Sequence, residues 1–269
     1  MSTPHLPAEL FDHVVDHLHD TEDALRNCCL VSKSLISRSR MHLFTVIRFD
    51  TVERLQSWKE TFPDPQTPPA FYAETLSINC LQAVTAEDAE PGGWIGGFSR
   101  VVYLEVVVDD LIHATQSASS LSLFHGFSPA IKSIHVKFPV LLSSRILDFI
   151  LSFPLLEDVT VITRYKPLAD NLDGPNVLPT TTCLPAPPMT GSFELLQQGG
   201  TKHITRRLLS LPGGIHFRKL ILTWCREEDI LSTRGLVEGC SHTLESLHIA
   251  CELVGTSHVA SAAIAYLVF

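Results

Sequence analysis

Residues 131–136 read Ile-Lys-Ser-Ile-His-Val, with apolar side chains at the first, fourth and sixth positions. Apolar residues two positions apart lie on the same face of a β-strand, so this pattern predicts a strand with one buried face. Five other segments repeat it and a seventh, Thr190-Phe193-Leu195, is degenerate. The five are Ala73-Leu76-Ile78, Val101-Leu104-Val106, Leu156-Val159-Val161, Phe217-Leu220-Leu222 and Leu244-Leu247-Ile249.

The seven segments start 28, 30, 25, 34, 27 and 27 residues apart. These intervals lie near the upper end of those of leucine-rich repeats, which have one strand in each unit. Helical apolar spacing separates several strands, notably over residues 141–153 and 203–211. A strand-then-helix unit buries its apolar faces only by stacking on its neighbours. We therefore expect an α/β fold in which residues 71–269 form an irregular leucine-rich-repeat-like solenoid.

Proline and glycine interrupt this array at three places. Residues 167–190 contain six prolines, which exclude a helix or a central strand and predict an inserted loop. Residues 46–70, with prolines between 63 and 69, are predicted to be a linker. Residues 91–97 are predicted to be an exposed, turn-rich loop.

The last residues of the chain, 259–269, carry no charged side chain. A terminal repeat needs a polar outer face, because its apolar side is otherwise left to water. This tail either folds back as a cap or leaves an exposed apolar end, and we favour the exposed end.

The first residues predict a compact helical unit. One apolar stripe contains Leu10, Phe11, Val14, Val15 and Leu18, which is the spacing of an amphipathic helix. A second helix is expected from Asp20 or Thr21 as N-cap through Cys29, and a third from Ser32 or Ser34 through Leu43. Residues 7–44 are therefore predicted to contain three short helices.

This unit resembles an F-box. The resemblance is carried by a Leu-Pro-x-Glu-Leu motif, an apolar helix and a Leu-Val-Ser-Lys segment, here Leu6-Pro7-Ala8-Glu9-Leu10, Val14-Val15-Asp16-His17-Leu18 with Leu25, and Leu30-Val31-Ser32-Lys33. It covers residues 4–45, about a sixth of the chain. Many F-boxes also carry a tryptophan near the position of Ser34 or Leu35, and this chain has none there.

The resemblance implies a substrate-recruiting subunit of a ubiquitin ligase, which binds a Skp adaptor and through it a cullin scaffold. The repeat region would bind a protein substrate of unknown identity. Seven residues are implied in the adaptor contact or in the small helical core: Leu6, Pro7, Leu10, Val14, Val15, Leu30 and Val31. If the missing tryptophan abolishes adaptor binding, the alternative is a leucine-rich-repeat-like interaction scaffold that acts outside a ligase.

Residues 202–212, 217–220 and 240–247 are similar to F-box proteins that mushroom-forming fungi encode in large numbers. This similarity supports the same architecture, an F-box followed by repeats.

Composition excludes several classes of partner. The 269 residues contain 20 Lys or Arg and 29 Asp or Glu, a formal charge of −9, and no basic run that could neutralise phosphates, so nucleic acid is not expected. The first 18 residues do not resemble a signal peptide, and the longest apolar tract is too short to cross a bilayer. Seven cysteines without a Cys-x-x-Cys pair predict reduced thiols in the cytoplasm or the nucleus.

Motifs that carry chemistry are weak. His13, His17 and His19 with Asp16 and Asp20 could bind a metal, but a solvated helix face is the favoured interpretation. Cys240, His242, His248 and Cys251 are favoured as structural residues beside a strand. The basic group Lys202, His203, Arg206 and Arg207 is favoured as an exposed helix surface. Because nucleophile-elbow and phosphate-loop spacings are also absent, we expect no catalytic residue, no metal and no cofactor, and a hydrolase or metalloenzyme is strongly disfavoured.

Overall fold

The computed structural model describes most of the chain. The described residues are 7–64, 68–90, 93–108, 121–124, 127–138, 144–163, 187, 189–196, 202–225, 230–251 and 263–268.

Three helices begin the described chain, in the segments where the sequence predicts them. They are α1 (Ala8–Asp16), α2 (Glu22–Val31) and α3 (Lys33–Phe44). The N-cap residues are Thr21 for α2 and Ser32 for α3. The Ser32 hydroxyl accepts the backbone N–H of Ser34 at 3.3 Å, which satisfies one of the unpaired donors at the start of α3.

A single sheet follows the helices, with nine strands among the described residues in the same order as the chain. Strands β1 to β8 are parallel, and β9 is antiparallel to β8. The strands are β1 (Val46–Phe49), β2 (Thr75–Ile78), β3 (Tyr103–Val107), β4 (Ser133–Phe138), β5 (Asp158–Thr163), β6 (Ser192–Leu196), β7 (Lys219–Cys225), β8 (Ser246–Cys251) and β9 (Ala263–Val268). The predicted α/β class is confirmed.

The repeat pattern sets the register of the sheet. Residues at the fourth position pair across neighbouring strands, and those at the sixth position do the same. The fourth-position row is Leu76, Leu104, Ile134, Val159, Phe193, Leu220 and Leu247, and all seven are buried. Because one register serves every strand pair, apolar side chains of equivalent positions stack into continuous rows.

Helices cover one face of the sheet. They are α4 (Val52–Thr61), α5 (Pro68–Tyr72), α6 (Ala86–Ala89), α7 (Ser144–Leu151), α8 (Lys202–Leu209) and α9 (Ile230–Gly239), with 3₁₀ turns at Leu81–Ala83, Trp94–Gly97 and Leu121–Phe124. α7 and α8 lie in the regions where the sequence predicts helices. Buried residues of α4, α7, α8 and α9 belong to one hydrophobic core with the strand rows. No helix in the described ranges is long and apolar enough to cross a membrane.

Residues 46–70, expected to be a linker, contain β1 and α4, both of which belong to this core. The first repeat overlaps the end of α3, because Phe44, Ile47 and Phe49 occupy the first, fourth and sixth positions of the pattern. Ile47 and Phe49 pair with Leu76 and Ile78 in register. Because this first repeat begins inside α3, the sequence does not mark its strand by a separate pattern. The sheet therefore starts before residue 71, the boundary that the sequence predicted.

The expected exposed loop at 91–97 is wrong in its described part. Residues 94–97 form a 3₁₀ turn in which Trp94 and Ile95 are buried. Trp94 packs edge-on against Phe49 and Phe98, with ring centroids 5.5 and 5.6 Å apart. The glycine and proline residues predict the turn correctly. The apolar side chains of that turn are nevertheless buried, because Trp94 packs against the aromatic rings of the core.

The Pro-rich insertion at 167–190 lies outside the described residues, except for Pro187, Met189 and Thr190. The chain then returns to register at β6. There the Asp158 carboxylate accepts the Ser192 backbone N–H at 2.6 Å and its hydroxyl at 2.8 Å. A β-carbon on Gly191 would collide with that carboxylate, so a larger residue here would have to displace the Asp158 side chain.

The C-terminal expectation is also corrected. Residues 263–268 form β9, which pairs with β8 in antiparallel register. The tail therefore folds back onto the last parallel strand, which is the alternative that we did not favour. An apolar strand can satisfy half of its backbone hydrogen bonds at a sheet edge, and this favours pairing over exposure.

A glycine pair tests the packing of the 94–97 turn. In Gly93→Ala the new methyl group would collide with the backbone of Glu87 and Asp88, whereas a methyl group at Gly96 meets nothing within 4 Å. We expect Gly93→Ala to lower the free energy of unfolding by about 1–3 kcal/mol, as overpacking does. Gly96→Ala should leave it unchanged or slightly raised. Denaturant unfolding measures both, and equal effects would contradict this packing.

Candidate functional site

The seven residues implied in adaptor binding differ in how far the structure buries them. Val15 is fully buried and belongs to the helical core. Pro7, just before α1, is exposed, and Leu6 lies outside the described residues. The other four are exposed apolar side chains, which we call the exposed apolar set: Leu10, Val14, Leu30 and Val31. The structure therefore separates exposed residues from a core residue in a set that the sequence left undivided.

The apolar stripe of α1 splits into two lines. Phe11, Val15 and Leu18 recur at helical spacing on the inner line, where Val15 is buried and its two neighbours are half-buried. Leu10 and Val14 are one turn apart on the outer line and are 48% and 59% exposed. Although both lines belong to one apolar stripe, only the inner line is buried and the outer line faces water.

The end of α2 supplies the rest of the exposed apolar set. Leu25 is buried, whereas Leu30 and Val31 are 84% and 80% exposed. They occupy the last turn of α2, just before Ser32 turns the chain into α3. Among the side chains that the structure describes, these two are the most exposed large apolar ones.

A polar clamp holds α1 to α3. Both oxygens of Asp16 accept from Arg38, at 2.6 Å from Nε and 2.8 Å from the terminal nitrogen. His42, one turn further along α3, lies 2.7 Å from the same carboxylate through Nε2. The Asp16 side chain is only about one-third exposed. The sequence interpretation placed Asp16 on the solvated face of α1, and this placement is wrong.

The contact between Asp16 and Arg38 shifts the pKa of both residues. Hydrogen bonds from Arg38 and then from His42 hold the pKa of Asp16 far below its usual range, against the opposing effect of burial. The same contact raises the pKa of Arg38. At neutral pH the pair is therefore fully ionised. A bidentate pair between a guanidinium and a carboxylate fixes direction as well as distance.

Two histidines of the disfavoured metal cluster contact the backbone through their rings. His17 Nδ1 lies 2.8 Å from the carbonyl oxygen of His13, and His19 Nδ1 lies 2.8 Å from that of Asp16. Within the described ranges, no group of three or more His, Cys, Asp or Glu residues is placed to hold a metal ion.

Residues from the other candidate motifs make structural contacts or are buried. Arg207 of the basic group donates to Asp148 of α7 at 2.9 Å, while Arg206 is exposed. Cys240 is buried, and burial raises its pKa. The pKa of Cys80 is raised to about 11 for the same reason, so both thiols are protonated at neutral pH.

Sequence reasoning missed the clamp. Arg38 and His42 are separated from Asp16 by 22 and 26 residues, a distance at which no local pattern operates. The available signal was the pair of basic residues four apart on α3, which places both side chains on one face of that helix.

Comparison with protein-family models, with curated proteins and with solved structures finds no match to this chain. The geometry of the three helices is therefore what bears on function.

The clamp predicts how stability depends on pH. Because folding lowers the pKa of Asp16, its carboxylate stabilises the folded chain above its ordinary pKa of about 3.9. That stabilisation is lost as the pH falls through the lower, folded value. Asp16→Asn should therefore lower the melting temperature at pH 7, and the gap to wild type should narrow steadily below pH 4.

Asp12→Asn is the matched control, since Asp12 is exposed on the same helix and contributes only the smallest effect on Arg38. It should melt close to wild type at every pH. A gap for Asp16→Asn that stays constant from pH 7 to pH 2 would contradict the clamp.

Proposed function

We propose that this chain is a non-catalytic, substrate-recruiting subunit of a Skp/cullin-type ubiquitin ligase. Its three N-terminal helices would act as the F-box and bind the Skp adaptor. Its sheet-and-helix repeats would act as a leucine-rich-repeat-like solenoid and bind a protein substrate. The cytoplasm or the nucleus would be its place of action.

The observation that carries this proposal is the exposed apolar set. Four of the seven residues that the F-box resemblance implies in adaptor binding are large apolar side chains left in water by their own helices. Burial of such side chains in a partner contributes about 1.5–3 kcal/mol each. A folded chain that keeps them exposed gains that free energy only when a partner covers them.

The join between helices and sheet supports the proposed role. α3 ends at Phe44 and β1 begins at Val46, so a single residue separates the two. The Phe44 ring packs on Trp58 of α4, with centroids 6.1 Å apart, and Phe49 packs on the same indole at 5.7 Å. This aromatic join would hold a substrate on the repeats at a fixed direction from an adaptor on the helices.

An interaction scaffold outside a ligase is the second candidate. The absence of a tryptophan near Ser34 and Leu35 favours it, since that residue is common in F-boxes. Both candidates use the repeats for protein binding, and they differ only in whether the three helices bind a Skp adaptor.

Leu30→Glu is the sharpest test of the adaptor surface. The side chain is almost fully exposed, so the variant should fold and melt like wild type. Placing a carboxylate in an apolar contact should weaken binding to purified Skp adaptor by more than tenfold, about 1.4 kcal/mol. Isothermal titration calorimetry measures the affinity.

The chain offers a matched control in Leu231, a leucine of α9 that is 79% exposed. Leu231→Glu makes the same chemical change far along the chain and should leave adaptor affinity unchanged. Wild-type protein that does not bind the adaptor would overturn the ligase proposal and favour the scaffold. Equal losses in both variants would show that the effect is not specific to the proposed surface.

A further inference from the structure

The weak packing of α1 is the starting point. Among the side chains that the structure describes in α1, only Val15 is fully buried, while Phe11 on the helix and Leu18 just after it remain half-buried. One buried valine leaves a helix free to roll about its own axis, because apolar contact has no preferred direction. Something else must therefore fix the direction in which Leu10 and Val14 point.

The clamp supplies that direction. Asp16 is the last residue of α1, and both of its oxygens are engaged by α3 residues one turn apart. Three contacts to one carboxylate, two of them from a single guanidinium, define an orientation as well as a distance. Asp16 follows Val14 by two positions, about 200° around the helix, so it lies on nearly the opposite side of α1.

We propose that Asp16 is a positioning residue for the adaptor-binding surface. By holding one side of α1 against Arg38 and His42, it presents Leu10 and Val14 on the other side toward the partner. This role rests on the proposed function, and it explains how Leu10 and Val14 are held in the orientation that binds the adaptor. Arg38 and His42 act through Asp16, which both residues contact.

A positioning role predicts that loss of the clamp affects adaptor affinity and folding stability differently. The clamp is partly exposed, so its loss should lower the melting temperature without unfolding the chain at 15 °C. Orientation of a surface affects binding directly, because a misdirected helix must be reordered when the partner arrives. Loss of the clamp should therefore weaken adaptor binding even while the chain remains folded.

The experiment measures the affinity of the full chain for purified Skp adaptor at pH 7 and 15 °C, with the folded fraction followed by circular dichroism. Asp16→Asn should bind at least fivefold more weakly while remaining fully folded. Asp12→Asn removes the same charge one turn earlier on α1, from an exposed side chain, and should bind like wild type. Asp16→Glu, which keeps a carboxylate that Arg38 can hold, should recover at least part of the lost affinity.

Three outcomes would overturn one or both of the proposals. If Asp16→Asn binds like wild type while Leu30→Glu loses binding, positioning by Asp16 is wrong and the adaptor surface stands. If Asp16→Asn and Asp12→Asn weaken binding equally, the effect is one of net charge and positioning is again wrong. If the wild-type chain does not bind the adaptor, both proposals fall.

Discussion

The rows of apolar side chains that run across the parallel strands are the constraint on which the rest of the structure depends. Each strand has one buried face, and that face is completed only by the rows of its neighbours and by the helices above them. A shift of one residue in any strand would turn its fourth and sixth positions to the other face. The common register of β1 to β8 is therefore enforced at every step by burial.

Deviations from the repeat are tolerated where a local contact restores the register. After the Pro-rich insertion, the Asp158 carboxylate accepts the backbone N–H of Ser192, which a carbonyl accepts at the equivalent position elsewhere in the sheet. Between β3 and β4, for comparison, the Val102 carbonyl accepts the N–H groups of Lys132 and Ser133. The Asp158 side chain thus replaces one backbone acceptor, while Gly191 still donates to the Glu157 carbonyl and Phe193 returns to its row.

In the three helices, burial of apolar side chains and polar contacts together determine the arrangement. Their apolar side chains exceed what three short helices can bury, so packing fixes only part of their arrangement and Leu30 and Val31 remain in water. Polar groups supply the direction that packing lacks, most clearly where Asp16 meets Arg38 and His42. The aromatic contacts of Phe44 then join this unit to the sheet, and the repeats and the exposed apolar set become parts of one framework.

The sequence by itself determined the repeated strands and the three helices, because two-residue and 3.6-residue apolar periods are local signals. It also singled out the apolar residues of the helices. Only the tertiary structure decided which of them face water, since Leu10 and Val15 belong to one stripe and the position of α3 selects the buried line. The same holds for the Asp16 clamp, whose partners are far away in the chain, and for β1, whose repeat begins inside α3. The direction of β9 was decided in the same way, because antiparallel pairing depends on a neighbouring strand and not on the residues of β9 alone.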